Sequence, residues 1–368
     1  MNGRYHCAAH WAITIIGVLA LQPCLGLLCK SSSQQDVDWW IALKVPHGSD
    51  YIYIESPQVQ QGLGWTYAHN LHAERGNLLA NTVQQIYDPA AGYALYNDEW
   101  PNGTVSLHLA HAKGVLGFDA SGGFWLLHSA PRYPSSPSQG GYTGICCGED
   151  GGQLVEGQSF LCMSLSVGTV NQVARQLMIP SLFFYDWGLP AWFSELYPAL
   201  SLLLSSGSQT FGQPMALSFT TVFGEQLLAF HKPTTPLQAI ALYEDVIEPG
   251  LSAGLEVQSW LNGWNPLPSS CPPQSMYESL NIRHMYIREA GSGWNTTVDH
   301  SKWAITIPEP SSRADGAVTG VCIGDINRMQ AQSFRGGGAV CFTNNPTLWQ
   351  TFRNIVAAIE GCSLPVPA

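Results

Sequence analysis

The triplet His-x-Lys occurs twice in this chain, as His111-Ala112-Lys113 and as His300-Ser301-Lys302. The chain has only five lysines, so finding two of them two places after a histidine is a specific signal. The triplets lie nearly half a chain apart. A fold that uses both must let two distant stretches present the same pair at one place. The chemistry suited to such a meeting is attack on a phosphodiester. One imidazole attacks phosphorus, the other protonates the departing oxygen, and two ammonium groups hold the phosphate between them.

The flanking patterns read as an internal duplication, too diverged to show as a plain repeat. In the first half His111-x-Lys113 opens a strand, and a polar residue, His128, ends the next. In the second half His300-x-Lys302 opens a strand, and Gly324-Asp325-Ile326-Asn327 ends a later one. Strands are predicted over 38–45, 115–118, 124–128 and 160–167, and helices over 77–87, 170–178 and 192–205, with a break at Pro198. The second half predicts strands within 215–230 and over 283–287, 303–307, 318–323 and 339–342. A Gly-rich turn, Gly336-Gly337-Gly338, is expected between the last two. Helices are expected over 236–246 and, as a closing amphipathic element, over 347–359. The fold class is therefore α/β (α+β): two similar lobes, each a β-sheet flanked by helices, packed face to face around a pseudo-twofold active site.

Hydrophobic content of 45% against 11% charged excludes a disordered chain. Arg4, the apolar run 11–21, and then Gln22-Pro23-Cys24 predict a secretory signal over residues 1–28. The remainder divides into halves 29–190 and 191–368, one triplet in each. No later stretch is long and apolar enough to span a bilayer, so no stable membrane anchor is expected. Export accounts for the eight cysteines beyond the signal, which fit disulfides better than metal ligands, since no Cys-x-x-Cys occurs. Asn102-Gly-Thr and Asn295-Thr-Thr are glycosylation sequons. The net charge of −11 is an odd balance for binding a polyanion at neutral pH. Protonation of the histidines in an acidic compartment would remove most of it.

Several blocks carry a resemblance. They are Val37-Asp38-Trp39, Leu95-Tyr96-Asn97-Asp98, His111-Ala-Lys-Gly-Val115, Gly122-Gly-Phe-Trp-Leu-Leu-His128-Ser129, Asp299-His-Ser-Lys-Trp303, Gly324-Asp-Ile-Asn-Arg328 and Arg335-Gly-Gly-Gly338. In order and rough spacing they resemble the deoxyribonuclease II family, acid endonucleases with a phospholipase D-like fold. The resemblance covers nearly the whole chain beyond the signal. It implies a lysosomal or secreted endonuclease that needs no metal or other cofactor, with DNA as substrate and 3′-phosphate and 5′-hydroxyl products. It further implies that His111, Lys113, His300 and Lys302 are catalytic and that His128 and Asn327 support the phosphate. The pairings Cys29–Cys162, Cys271–Cys362 and Cys322–Cys341 follow from it too, with Cys146 and Cys147 outside the pattern.

The phospholipase D signature also places an aspartate after each triplet. Asp119 is a candidate in the first half, although Asp119-Ala-Ser-Gly-Gly reads better as a turn. Pro308-Glu309 stands near the corresponding place in the second. Arg335-Gly-Gly-Gly reads as a tight bend, or as backbone that contacts phosphate. His108, three residues before His111, has no third ligand nearby to make a metal site. Which histidine is the nucleophile is left open. Two rival readings remain: a phosphodiesterase of the same fold acting on another substrate, and an inactive secreted relative that binds DNA or a partner.

Overall fold

The computed structural model describes residues 26–145, 152–206, 213–308 and 318–362. The expected signal and the Cys146-Cys147 pair therefore fall largely or wholly outside the described residues, as does Glu309.

Two large sheets dominate. The first holds β1 (Trp39–Lys44), β2 (Tyr51–Glu55), β3 (Thr66–Ala68), β4 (Gly92–Tyr96), β5 (Gly114–Phe118), β6 (Gly122–His128), β7 (Gln158–Ser166) and β8 (Phe184–Gly188). Its order is β8-β4-β5-β6-β7-β1-β2-β3, and every neighbouring pair is antiparallel. The second holds β9 (Met215–Thr220), β10 (Gln226–Lys232), β11 (Leu255–Gln258), β12 (Ser279–Ile287), β13 (Ser292–Asn295), β14 (Trp303–Thr306), β15 (Val321–Gly324), β16 (Gly337–Phe342) and β17 (Val356–Ile359). Its order is β9-β10-β16-β15-β14-β11-β12-β13, with β17 added against β12. Only β11 and β12 run parallel in it.

The strands alternate in register with this packing. Trp39, Ile41 and Leu43 of β1 point into one core, while Trp40 and Ala42 point into another. In the second sheet Trp303, Ile305, Val321, Ile323, Val340 and Phe342 join the same core as Trp39, and Ala304, Cys322 and Cys341 face away. Each sheet is thus buried on both faces, so its central strands read as unbroken apolar runs. The shared core lies between the sheets, and Trp39 meets Phe342 edge to face, with centroids 4.7 Å apart. The helices Val167–Gln176, Pro198–Ser206 and Pro346–Arg353 supply Val173, Leu203 and Phe352 to this core. The outer faces are covered by Leu78–Val83 on the first sheet and by the turns around Leu242–Ile247 on the second.

Three details differ from the sequence reading. The closing helix stops at Arg353, and Val356–Ile359 is an added strand, because an apolar alternation fits that edge as well as a helical turn. The helix expected over 236–246 forms only from Leu242 onward. The glycines after Arg335 do not make a hairpin: Gly337 and Gly338 already belong to β16. Gly336 is needed for close approach instead, since a Cβ there would meet the Pro180 carbonyl at 1.9 Å.

Disulfides join Cys29 to Cys162, Cys271 to Cys362 and Cys322 to Cys341. The last links directly paired residues of β15 and β16. The sequon residues Asn102 and Asn295 are both exposed. No helix among the described residues is long and apolar enough to cross a membrane.

Candidate functional site

The two triplets occupy equivalent positions in the two sheets. Lys113 immediately precedes β5, and Lys302 immediately precedes β14. Each lysine carbonyl accepts from the end of the strand that follows: Lys113 from the His128 N–H, at 3.2 Å, and Lys302 from the Gly324 N–H, at 2.9 Å. Each histidine is also tied to the opposite half of the chain. The N–H of His111 donates to the Gly336 carbonyl at 2.9 Å, and that of His300 to the Gly157 carbonyl at 2.8 Å. Gly157 permits this contact because Asp299 is packed where a side chain would be, its Oδ1 2.4 Å from an ideal Cβ. Asp299 in turn accepts from Ser301 N–H at 2.7 Å and from the Trp294 indole at 2.7 Å, which fixes the second triplet from behind.

These constraints bring both triplets to one cavity of about 170 Å³. His111, Lys113, His300 and Lys302 line it, together with Asn327, Trp260, Gln332, Ser129, Pro131 and Glu99. Asn327 accepts the Trp260 N–H through Oδ1 at 3.1 Å, and its own N–H donates to Gln332 at 2.6 Å. Its amide NH2 makes no hydrogen bond among the described residues, so a donor is left for the cavity. His128 does not line the cavity. It is fully buried, packed against the rings of Tyr133 and Phe160, and reaches the site through the backbone bond to Lys113. Asp119 is a turn residue whose Oδ1 caps the N–H groups of Ser121 and Gly122.

Three groups that the sequence reading did not assign to the site shape it. Asp98, just past β4, places Oδ2 2.6 Å from Nδ1 of His111 and bonds Lys113 through Oδ1. Arg335, from the other half, donates to Asp98 at 2.9 Å and to the carbonyls of Ser106, Leu109 and Ala110. Its NH1 also comes within 3.3 Å of His111 Nδ1. That nitrogen cannot accept from Arg335 while donating to Asp98, and the shorter carboxylate contact decides the tautomer. His111 therefore carries its proton on Nδ1 and turns the Nε2 lone pair outward. The third group is Asp325, directly after β15, which accepts the Gly338 N–H at 2.7 Å and lies within the electrostatic reach of both lysines.

His300 has no such carboxylate. Its Nε2 makes no hydrogen bond among the described residues, and its ring meets Trp260 at 4.6 Å between centroids, steeply inclined.

Burial dominates the electrostatics. Desolvation would raise the Asp98 carboxyl, yet His111, Lys113 and Arg335 together hold it well below the usual range. Burial pushes the His111 imidazole down to about 3, with Asp98 opposing and Lys113 and Arg335 adding to the fall. The Asp98 carboxylate is thus held by its hydrogen bond to His111 and by its ion pairs with Lys113 and Arg335. Burial and then Lys302 and Lys113 push His300 far below the ordinary range. Burial and then Lys113 lower Lys302 to about 7, and burial lifts Asp325 to about 7 against the pull of Gly338 and both lysines. A phosphate anion lodged between the lysines would raise every one of these imidazole and ammonium groups.

No group of three or more His, Cys, Asp or Glu residues suited to a metal ion occurs among the described residues. Two lysines and two histidines face the cavity against one carboxylate, Glu99, a balance that suits an anion.

Comparison with known proteins agrees with this picture. The family model described as Deoxyribonuclease II matches residues 28–362. Deoxyribonuclease-2-alpha of Rattus norvegicus is 28% identical over 95% of this chain and 98% of its own length. Cell death-related nuclease 6 of Caenorhabditis elegans is 29% identical over 91% of this chain and 89% of its own. A putative deoxyribonuclease-2 of Burkholderia thailandensis is 30% identical over 87% and 90%.

Proposed function

The chain belongs to the deoxyribonuclease II family, and we propose that it is an acid endonuclease that hydrolyses DNA to 3′-phosphate and 5′-hydroxyl ends. The observation that carries this reading is the meeting of His111, Lys113, His300 and Lys302 in one cavity. Lys113 and Lys302 bind the non-bridging oxygens of the scissile phosphate, with the Asn327 amide as a further donor. The halves 29–190 and 191–368 each contribute one histidine and one lysine.

The environments of the two histidines suggest their roles. His111 is the nucleophile. Its Nδ1–H is held by Asp98, which makes Nε2 more basic and stabilises the positive charge that the ring gains on phosphorylation. Nε2 forms a bond to phosphorus as the P–O5′ bond breaks. His300, protonated in the complex, gives its proton to O5′, which leaves as a 5′-hydroxyl. Its lack of a carboxylate partner keeps it a strong acid once the phosphate has induced it to take a proton. Water then attacks phosphorus, passing a proton to His300, and the N–P bond breaks to release the 3′-phosphate. His128 acts from behind by fixing the Lys113 backbone.

Export through the signal 1–28 and action in a lysosome or outside the cell agree with this chemistry, because acidity favours each protonated group. The experiment is a plasmid-nicking assay at pH 5 with excess EDTA. Nicking in EDTA supports the reading. Absence of nicking, or activity restored only by magnesium or calcium, overturns it.

A further inference from the structure

The chain is poorly supplied with cations for holding a nucleic acid. Lys44, Lys113, Lys232 and Lys302 are all buried, and Lys30 is paired with Asp36. Lys44 and Lys232 are spent on backbone carbonyls. Among the described residues, Lys113 and Lys302 are the lysines that line the cavity, and the arginine near its Glu99 rim, Arg132, stands 3.9 Å from that carboxylate. Such a surface gives little of the salt-dependent grip on flanking phosphates that most nucleic-acid binders use.

One wall of the cavity offers another kind of contact. Trp260 lines it beside His300. The segment after Trp260 is stitched to the loop that carries Asn327: Pro266 bridges Met329, and the Gln330 N–H donates to the Asn265 carbonyl at 3.1 Å. On this braced segment Trp264 is 81% exposed and makes no hydrogen bond or ring contact among the described residues. A bare indole on a fixed support, four positions along the chain from the wall residue Trp260, presents an open face, and every nucleobase has a face to cover it.

We propose that Trp264 is a stacking platform for an unpaired base flanking the scissile phosphate, so that the strand is held by stacking more than by charge. This rests on the nuclease reading above. It assigns a base unstacked beside the cleaved linkage as the group that Trp264 contacts, because a base inside a duplex has no free face.

The test compares wild type, Trp264→Ala and Trp264→Phe in the full chain at pH 5. The substrates are a single-stranded oligonucleotide with one cleavable linkage, and the same oligonucleotide with abasic residues flanking that linkage. Hydrolysis of bis(p-nitrophenyl) phosphate, which carries no base, reports an intact site in each variant. Trp264→Ala should raise KM for the ordinary oligonucleotide about tenfold, the scale of one lost stack, while Trp264→Phe recovers most of it. With the abasic substrate wild type and Trp264→Ala should be alike. Equal KM for wild type and Trp264→Ala on the ordinary oligonucleotide overturns the proposal. So does a persisting difference on the abasic one, and so does a parallel loss on the base-free ester, which marks a structural role. Failure of the nuclease reading is seen separately, in a wild type that cleaves neither oligonucleotide.

Discussion

Oδ2 of Asp98 lies 2.6 Å from Nδ1 of His111, and the same carboxylate holds Lys113 and Arg335. One buried anion thereby sets the tautomer of a histidine, anchors the lysine of the same triplet, and receives an arginine from the far half of the chain. Asp98→Asn removes the charge but keeps the shape. The amide can stabilise the wrong tautomer and cannot offset charge on the ring, so kcat should fall by roughly 10²–10⁴-fold. The check is single-turnover cleavage of an end-labelled oligonucleotide. A rate within a few fold of wild type removes Asp98 from the mechanism.

Arg335 ties the halves together at the site. Arg335→Met leaves Asp98 short of a partner and three loop carbonyls without their donor. Asp98 keeps Lys113 and His111, so the loss is that of buried acceptors left without their donor, about 1–3 kcal/mol. Urea unfolding at pH 5 should show a loss of that size, with activity reduced even where the variant is fully folded. An unchanged midpoint contradicts the role given to Arg335.

The pH response follows from the shifted groups. Lys302 is lowered to about 7 and Asp325 raised to about 7. As pH falls from 8 to 6 the first becomes a cation and the second loses its negative charge, so both changes favour an anion. KM for DNA should therefore fall as pH drops through 7. The kcat should rise as well, because burial depresses His300 and a bound phosphate must restore its proton. At still lower pH protonation of His111 should stop attack. Steady-state kinetics across pH 4–8 would test this, and a KM that grows on acidification contradicts it.

The parts legible in the sequence were those carried by local pattern. The His-x-Lys triplets, the 114–128 hairpin with its Asp119 turn, and the β1 run were readable because neighbouring residues create the signal. Asp98 was visible as part of a matching block, yet its role was not. It stands ahead of His111, just past the end of another strand, and the antiparallel pairing of β4 with β5 brings it back, whereas the expectation placed a carboxylate downstream. Arg335 looked like the start of a bend because its glycines signal turns as readily as close packing. The close packing is against Pro180, a contact no local window contains. Trp260 carried no signal, since its place beside His300 depends on β11 lying next to β14.

The Cys322–Cys341 bridge staples β15 to β16 and so closes the loop that carries both Asn327 and Arg335. Replacing both cysteines by alanine should cost about 2–5 kcal/mol. Thermal unfolding of the double variant would show it, and a stability equal to wild type would mean that the sheet alone fixes this part of the site.

The central claim is that His111 becomes covalently bonded to phosphorus and His300 serves as the acid. The direct measurement is acid-free quenching of the His300→Asn variant during turnover of an oligonucleotide 3′-(p-nitrophenyl) phosphodiester, followed by peptide mass spectrometry. That leaving group needs no proton, so attack proceeds while the water step lacks its base. The account predicts an oligonucleotide-phosphoryl adduct on His111, and none in His111→Asn. An adduct on another residue, or full turnover of DNA by either variant, contradicts it.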